Sequence, residues 1–484
     1  MGIKGKTTFE LTDVNTGEVE IIEDNNMITN ALQEYLATYG MFYSDVFSSI
    51  VNNPLWNSLL SGLFLFDSTL DEDVNNTFMP AGVRMIGCGS KDFANSGAVT
   101  ELGSYNASES GVQGDGSIKF VYDFSTQQAN GTISCACLTS GVGGYASMGC
   151  ESDRYYSDKK FSYYFNPNSY GCYSGIDGAG TDMKHILYAN YSENAIYVTN
   201  PYNIKHTTEY ALQHWSVTKK IQILKLRAGF TSVGIEDYQY LKKVIETYDV
   251  DIPQDILDYM GTSVNYAITS SDGFDGNIYV IFTKTDSTDL SVGSFFWIMK
   301  IDKNMQATAY KFTNNIGKSM NVFYARPSSN TGEYFDYYTF NGDYLWVYDN
   351  SKYIYGVNYT DSTQIIETGV KGNYDMSMYN VAPNLIGIYG KNYSSSNYYA
   401  PEMYDVMNRT HTKMNGKEEL VSVSYKRSLV PFADKKGVYL TCYNGKISIF
   451  KDDRYLATIN NLESPVVKTS SKTMKVTYTL TLEE

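Results

Sequence analysis

Few residues in this chain have types and spacings that could do chemistry. Asp272-Gly-Phe-Asp275-Gly brings two carboxylates and two glycines together, as the start of a calcium loop would. The third oxygen ligand and the distal glutamate of such a loop are missing, so the segment reads as a surface turn. Asp67, Asp71, Glu72 and Asp73 form an acidic cluster that reads as a solvated loop. Gly5-Lys6-Thr7 matches the end of a phosphate loop, but the loop's first glycine would fall before Met1. Gly141-Val-Gly143-Gly-Tyr-Ala146 fits a loose dinucleotide pattern, yet no amphipathic helix follows it to receive a pyrophosphate. His185, His206, His214 and His411 are scattered, and neither a Gly-x-Ser-x-Gly elbow nor a His-Glu-x-x-His pair occurs. Paired carboxylates for glycoside cleavage are defined by separation in space, which spacing in the chain does not give. No catalytic residue, metal ligand or cofactor site is therefore assigned, and the chain reads as non-enzymatic.

Binding chemistry is better represented. Tyr393, Asn397, Tyr398 and Tyr399 crowd one segment. Exposed tyrosine rings stack on sugars and asparagine amides hydrogen-bond them, so these four are the candidate surface-recognition residues. The net charge of −15, from 38 Lys+Arg against 53 Asp+Glu, argues against nucleic acid as a partner, because phosphates demand a basic footprint. With 43% hydrophobic and 19% charged residues, the 484-residue chain is expected to fold. Pro54 to Phe66 is its most apolar run and falls short of the roughly 20 residues that cross a bilayer, so no membrane span is expected. No secretory signal is read at the start, and Lys6 stands where a myristoylation signal needs Ser or Thr. None of the six cysteines forms a Cys-x-x-Cys pair. Cys135 and Cys137 flank Ala136 in an alternating run, which predicts two buried free thiols on one strand face.

The elements that must carry these residues are mostly strands. Phe9 and Leu11, then Val19 and Ile21, alternate about the turn Asn15-Thr16-Gly17, predicting a hairpin. Asn25 or Asn26 is placed to cap a helix with Ile28, Ala31, Leu32, Tyr35 and Leu36 on one face. Ile118 to Phe124 and Ile133 to Cys137 alternate about a second turn. From there on, paired aromatic strands recur. Their second members begin near positions 221, 297, 353, 402 and 447, and the later spacings approach the roughly 40–50-residue period of propeller blades. Ile235, Tyr238, Leu241, Ile245 and Tyr248 fall on one helical face, and Pro253 opens a second short helix. Met474, Val476, Tyr478, Leu480 and Leu482 alternate with polar residues as a half-buried strand suited to pair with the N-terminal hairpin.

The expected fold is mainly β. Residues 1–145 form a β-sandwich-like anchor domain with one helix. Residues 146–465 form a β-propeller-like domain of five to seven blades with a helical insertion at about 234–260. Residues 466–484 return as a strand to the anchor. An irregular pair of β-sandwiches and a β-solenoid are the alternatives to the propeller. Only Tyr35, Tyr39, Tyr43, Tyr105 and Tyr122 precede residue 140, and the other 40 of 45 tyrosines follow it. The excess therefore belongs to the propeller-like part, as strand-building and surface-recognition residues.

The strings KGKTTFELTDVNTGEVEIIEDNNMITNAL, LLSGLFLFD with the acidic loop and MPAGVRMIG after it, and YDFSTQQANGTISCACLTS carry a resemblance. Over residues 4–145 the chain resembles tail, tail-fibre and minor structural virion proteins of phages and prophages of Firmicutes. The resemblance implies an N-terminal domain that attaches to other virion proteins and an exposed propeller-like domain that meets a host cell-surface glycan or protein. It implies a homo-oligomer assembled in the host cytoplasm and located in the virion. A head-decorating, neck or collar fibre protein and a polysaccharide depolymerase are the alternative functions.

Overall fold

The computed structural model describes residues 2–32, 60–91, 100–141, 163–164, 186–199, 219–231, 234–235, 244–261, 266–271, 274, 276–283, 289–321, 338–371, 375–392, 397–398, 402–413, 430–443, 446–451 and 454–483. The chain is mainly β and divides into two compact units. The first joins Met1–Glu151 to Asp452–Glu484, and the second is Ser152–Lys451.

The first unit is built on β1 (Gly2–Asp13), β2 (Val19–Ile28), β3 (Gly62–Phe66), β4 (Met85–Ser90), β5 (Ser104–Tyr105), β6 (Gly111–Val112), β7 (Ile118–Phe124) and β8 (Gly131–Thr139), with β34 (Thr458–Lys468) and β35 (Lys472–Glu483). They form one sheet in the order β4-β3-β8-β34-β2-β1-β35-β7-β5, with β6 paired to β7. A parallel bridge between Cys88 and Leu102 brings the two ends of this order together, so the sheet is nearly closed. Its inner face follows from alternation. Phe9 and Leu11, Phe120 and Tyr122, and Val476 and Tyr478 are all buried. β3 is buried at every position, because a second apolar cluster of Phe64, Phe66, Leu70, Cys135, Cys137 and Ile459 covers its other side. Burying each such large side chain stabilises the unit by about 1.5–3 kcal/mol.

Two local expectations for this unit are corrected. Asn25 and Asn26 lie inside β2, paired with Lys6 and Gly5, and cap no helix; helical geometry begins only at Asn30. Pairing across a long hairpin outweighed a capping signal with only its own local hydrogen bond to offer. Val19 and Ile21 are exposed, because the register with β1 turns Ile22 inward instead.

Among the described residues the strands of the second unit form sheets of eight, four, six and five strands and one two-stranded hairpin. In chain order their strands begin with β9 (Tyr163–Tyr164), β10 (Ile186–Asn190), β11 (Ala195–Thr199), β12 (Lys220–Arg227), the small hairpin β13 (Phe230–Thr231) and β14 (Gly234–Ile235), and β15 (Val244–Asp251). Next come β16 (Tyr266–Ser271), β17 (Ile278–Thr283), β18 (Asp289–Leu290), β19 (Phe295–Ile301), β20 (Ala307–Thr313) and β21 (Met320–Asn321). They are followed by β22 (Thr339–Asn341), β23 (Tyr344–Asp349), β24 (Tyr353–Asn358) and β25 (Ile365–Lys371). The rest are β26 (Asp375–Ala382), β27 (Leu385–Asn392), β28 (Asn397–Tyr398), β29 (Glu402–Asp405), β30 (Thr410–Lys413), β31 (Val430–Phe432), β32 (Lys435–Tyr443) and β33 (Lys446–Lys451).

Within them lie five antiparallel four-strand sets, β10-β11-β12-β15, β16-β17-β19-β20, β22-β23-β24-β25, β26-β27-β29-β30 and β31-β32-β33-β9. A parallel bridge between Ala189 and Phe432 joins the first and last, β21 with β18 extends the set of β23, and β28 that of β27. Successive sets are neighbours around a ring: β10 beside β16, β16 beside β22, β22 beside β26, β26 beside β32, and β31 back beside β10. This is a propeller-like arrangement. The ring closes by exchange, since β9 supplies the outer strand of the sheet whose other three strands come from residues 430–451. The five repeating segments seen in the sequence are β12, β19, β24, β29 and β33, the third strand of each set.

Another expectation is corrected here. Ile245 and Tyr248 belong to β15, which pairs with β12 from Lys220↔Asp251 to Leu226↔Val244, and not to a helix. Alternating exposure along β15, an outermost strand, coincided with a helical period over a short window. Helix α1 (Gln254–Met260) follows and buries Ile256 and Met260 against the sheets.

Candidate functional site

Of the four candidate recognition residues, the described ones lie on an extension of the β26–β30 sheet. β27 pairs with β29 only from Leu385 to Ile388, and its far end runs on to pair with β28, Lys391 opposite Tyr398 and Asn392 opposite Asn397. Asn397 and Tyr398 thus form the edge strand there, while β26 pairs Asp375 with Lys391 on the other side of β27. Tyr393 and Tyr399 lie outside the described residues, as do Asp272, Asp275, His185, His206 and His214. His411 is on β30 opposite Tyr404. The carboxylates of the acidic loop serve the loop itself: Asp67 Oδ1 accepts from Ser68 and the Arg84 N–H, and Asp73 Oδ1 from the Asn75 N–H. Among the described residues no group of three His, Cys, Asp or Glu could hold a metal ion. Cys135 and Cys137 are buried free thiols with their sulfurs 3.7 Å apart.

Many tyrosines of the second unit are core residues. Tyr188, Tyr279, Tyr348, Tyr355, Tyr359 and Tyr404 are all buried, so strand-building explains them without a surface role. Their hydroxyls reach polar partners at the sheet ends. Tyr359 receives a hydrogen bond from Lys300 Nζ at 3.0 Å and donates to Asp343 Oδ1 at 3.2 Å, while burial pushes its pKa up. Tyr197 donates to Glu193 Oε2 at 2.7 Å, and Lys225 Nζ lies 2.8 Å from the same oxygen. Burial pushes the Glu193 carboxyl up, but the bonds from Lys225 and Tyr197 outweigh it and hold the pKa below its usual value.

Asp349, fully buried at the β23–β24 turn, gathers the largest of these networks. It accepts from the Tyr353 N–H at 2.9 Å and from Tyr355 at 3.3 Å, and Lys318 Nζ lies 3.2 Å from it. The bonds to Tyr355 and then Asp349 raise the Lys318 pKa. Between sheets, Asn341 on β22 donates to Asn380 Oδ1 and to the Ala382 carbonyl, both at 3.1 Å. Asn380 Nδ2 returns a bond to the Phe340 carbonyl at 2.8 Å. Sequence reasoning missed Asp349, Asn341 and Asn380; the available signal was Asp349-Asn-Ser between two aromatic strands, a turn opened by aspartate. Burial raises the pKa of the Tyr197 and Tyr359 phenols, and hydrogen bonds raise that of the Lys318 amine. These networks fasten strands.

No family model matches the chain, and no curated protein does. Solved structures with some likeness include an oligogalacturonate lyase in complex with manganese, at 12% identity and TM-score 0.24, covering 57% of this chain and 64% of that one. Apo AztD from Citrobacter koseri, at 9% identity and TM-score 0.20, covers 80% and 88%. BamB from Moraxella catarrhalis, at 9% identity and TM-score 0.16, covers 58% and 98%. The chain thus spans less than two thirds of the lyase it resembles.

Proposed function

We propose that the chain is a non-enzymatic structural protein of a bacteriophage virion, tail-associated as a tail-fibre or baseplate-tip component. Its first unit joins other virion proteins, and its second unit displays a host-recognition surface. The observation that carries this reading is the way the second unit is inserted. The chain leaves the first unit after β8 and returns on β34, and these two strands are neighbours in one sheet. Such an arrangement suits a mount that carries a module on a single stem. The resemblance of residues 4–145 to tail-type virion proteins supports the same division of labour. Sheets that carry a short edge strand at Asn397 and Tyr398 suit binding of a glycan or protein on the host surface. The protein acts as copies on the particle, assembled in the host cytoplasm.

The reading is tested on the full-length protein with two measurements. Immunogold imaging of intact particles is expected to place label at the tail; label confined to the head would overturn the tail assignment. Fluorescently labelled protein is expected to bind host cells saturably, and the double substitution Asn397→Ala, Tyr398→Ala to weaken that binding at least tenfold. Absence of binding to host cells would remove the recognition role.

A further inference from the structure

Among the buried polar groups of the first unit, one connected set spans β1, β2, β8, β34 and β35. The Leu138 N–H donates to Thr458 Oγ1 at 2.9 Å, Thr458 Oγ1 shares a 2.5 Å bond with the Tyr478 hydroxyl, and Tyr478 also meets the Thr7 hydroxyl. Thr7 Oγ1 donates to Asn26 Oδ1 at 2.9 Å. There the set stops. Asn26 Nδ2 is buried and meets no hydrogen-bond partner, and neither does either amide atom of Asn460, a residue 1% exposed. The two asparagines belong together. β2 and β34 pair Ile28 with Thr458 and Met27 with Ile459, so the next step of that register sets Asn26 opposite Asn460. Both then share the face that carries Thr458 and Thr7. Gly5 makes the room: a Cβ at that position would stand 2.7 Å from Asn26 Nδ2.

A buried amide without partners is costly, and two facing ones require an occupant that donates and accepts at once. A cation does not satisfy this, because Asn26 presents its amino group. An apolar filler leaves all three atoms unpaired. We propose that Asn26 and Asn460 form an internal water-binding site, in which the water accepts from Asn26 Nδ2 and donates to Asn460 Oδ1, bridging β2 to β34. The bridge continues the seam one step beyond the direct pairs of these strands, Ile28 with Thr458 and Met27 with Ile459. It ties a strand from the start of the first unit to one that returns after the second.

Two experiments on the full chain decide the matter. A crystal structure at about 1.5 Å or better is expected to show a water within hydrogen-bond distance, about 2.7–3.2 Å, of both Asn26 Nδ2 and Asn460 Oδ1. A direct amide–amide bond, or side chains closed over the position, would overturn the proposal. Asn460→Leu separates the cases by sign. With a bridging water, it strands Asn26 Nδ2 and lowers the calorimetric melting midpoint by about 2–4 °C. If the amide is unpaired, the same substitution removes a buried burden and raises the midpoint. Asn26→Ala on the Asn460→Leu background is expected to cost less than on the parent chain, and equal costs would also refute the bridge.

Discussion

Replacing Lys468 with methionine should stabilise the protein, and by an amount that depends on pH. Lys468 is 1% exposed on β34, opposite Gly131 of β8, and its hydrogen-bond acceptors are neutral: Asn130 Oδ1 at 2.9 Å and the Thr469 carbonyl at 3.5 Å. Burial lowers its pKa from 10.5 to about 8. A shift of that size corresponds to about 3 kcal/mol against the charged amine, at about 1.4 kcal/mol per unit. The lost bonds to Asn130 and Thr469 offset part of the gain, leaving about 2 kcal/mol for Lys468→Met at pH 7. The sign is fixed by proton counting. Below pH 8 both folded and unfolded chains carry the proton, and the full cost is felt. Between about 8 and 10.5 the unfolded state binds the extra proton, so the parent gains stability as pH rises. Urea unfolding of parent and variant from pH 6.5 to 10 is the assay, with near-ultraviolet circular dichroism following the transition. The gap should be widest at low pH and shrink above 8. A variant less stable than the parent at pH 7, or a gap constant across the range, would refute the reasoning.

Other perturbations follow from the same kind of accounting. Asp349→Ala should destabilise the second unit by about 3 kcal/mol, because it strands the buried Tyr353 N–H and Tyr355 hydroxyl; denaturant melts read it, and a change under 1 kcal/mol would count against the network. Gly356→Ala puts a Cβ 2.7 Å from Cη2 of the fully buried Trp346 and should cost about 1–3 kcal/mol by overpacking, with a shifted tryptophan emission as its marker. A chain ending at Lys451 lacks β34 and β35, each of which lies between two other strands of the first sheet. Hydrogen exchange should then find β1, β2, β7 and β8 unprotected while β16 to β30 keep their protection, and retained protection in β1 would contradict this account.

Much of this architecture can be read from residues alone, wherever period and burial agree. Met474 to Leu482 alternates because one face of β35 packs inward and the other does not, and both neighbours, β1 and β7, alternate in step. The third strands of the five sets are legible because each is a short run with apolar residues between turns, four of the five with an aromatic ring as well. Legibility failed where long-range pairing overrode a local signal. Asn25 and Asn26 have the type of a helix cap but the partners of a strand, and β15 shows a helical spacing on an exposed sheet edge. The polar fasteners were illegible for another reason. Asn341 and Asn380 are ordinary loop-type residues until the ring sets β22 beside β26. Of the candidate recognition residues, the structure places Asn397 and Tyr398 on an edge strand paired with the end of β27.

The threading of the first sheet also sets an order of events during synthesis. A ribosome finishes β8 and then makes all of residues 152–451 before β34 emerges, so β8 and β2 wait with open edges on strands that are apolar on both sides or awaiting a partner. Exposed edges of this kind recruit other chains. A nascent copy therefore needs protection for the time it takes to make the second unit, and that unit can finish folding first. The nearly closed sheet is therefore joined only after residues 458–483 have been made. A copy interrupted inside the second unit has no joined first unit, and it is barred from any assembly that requires one.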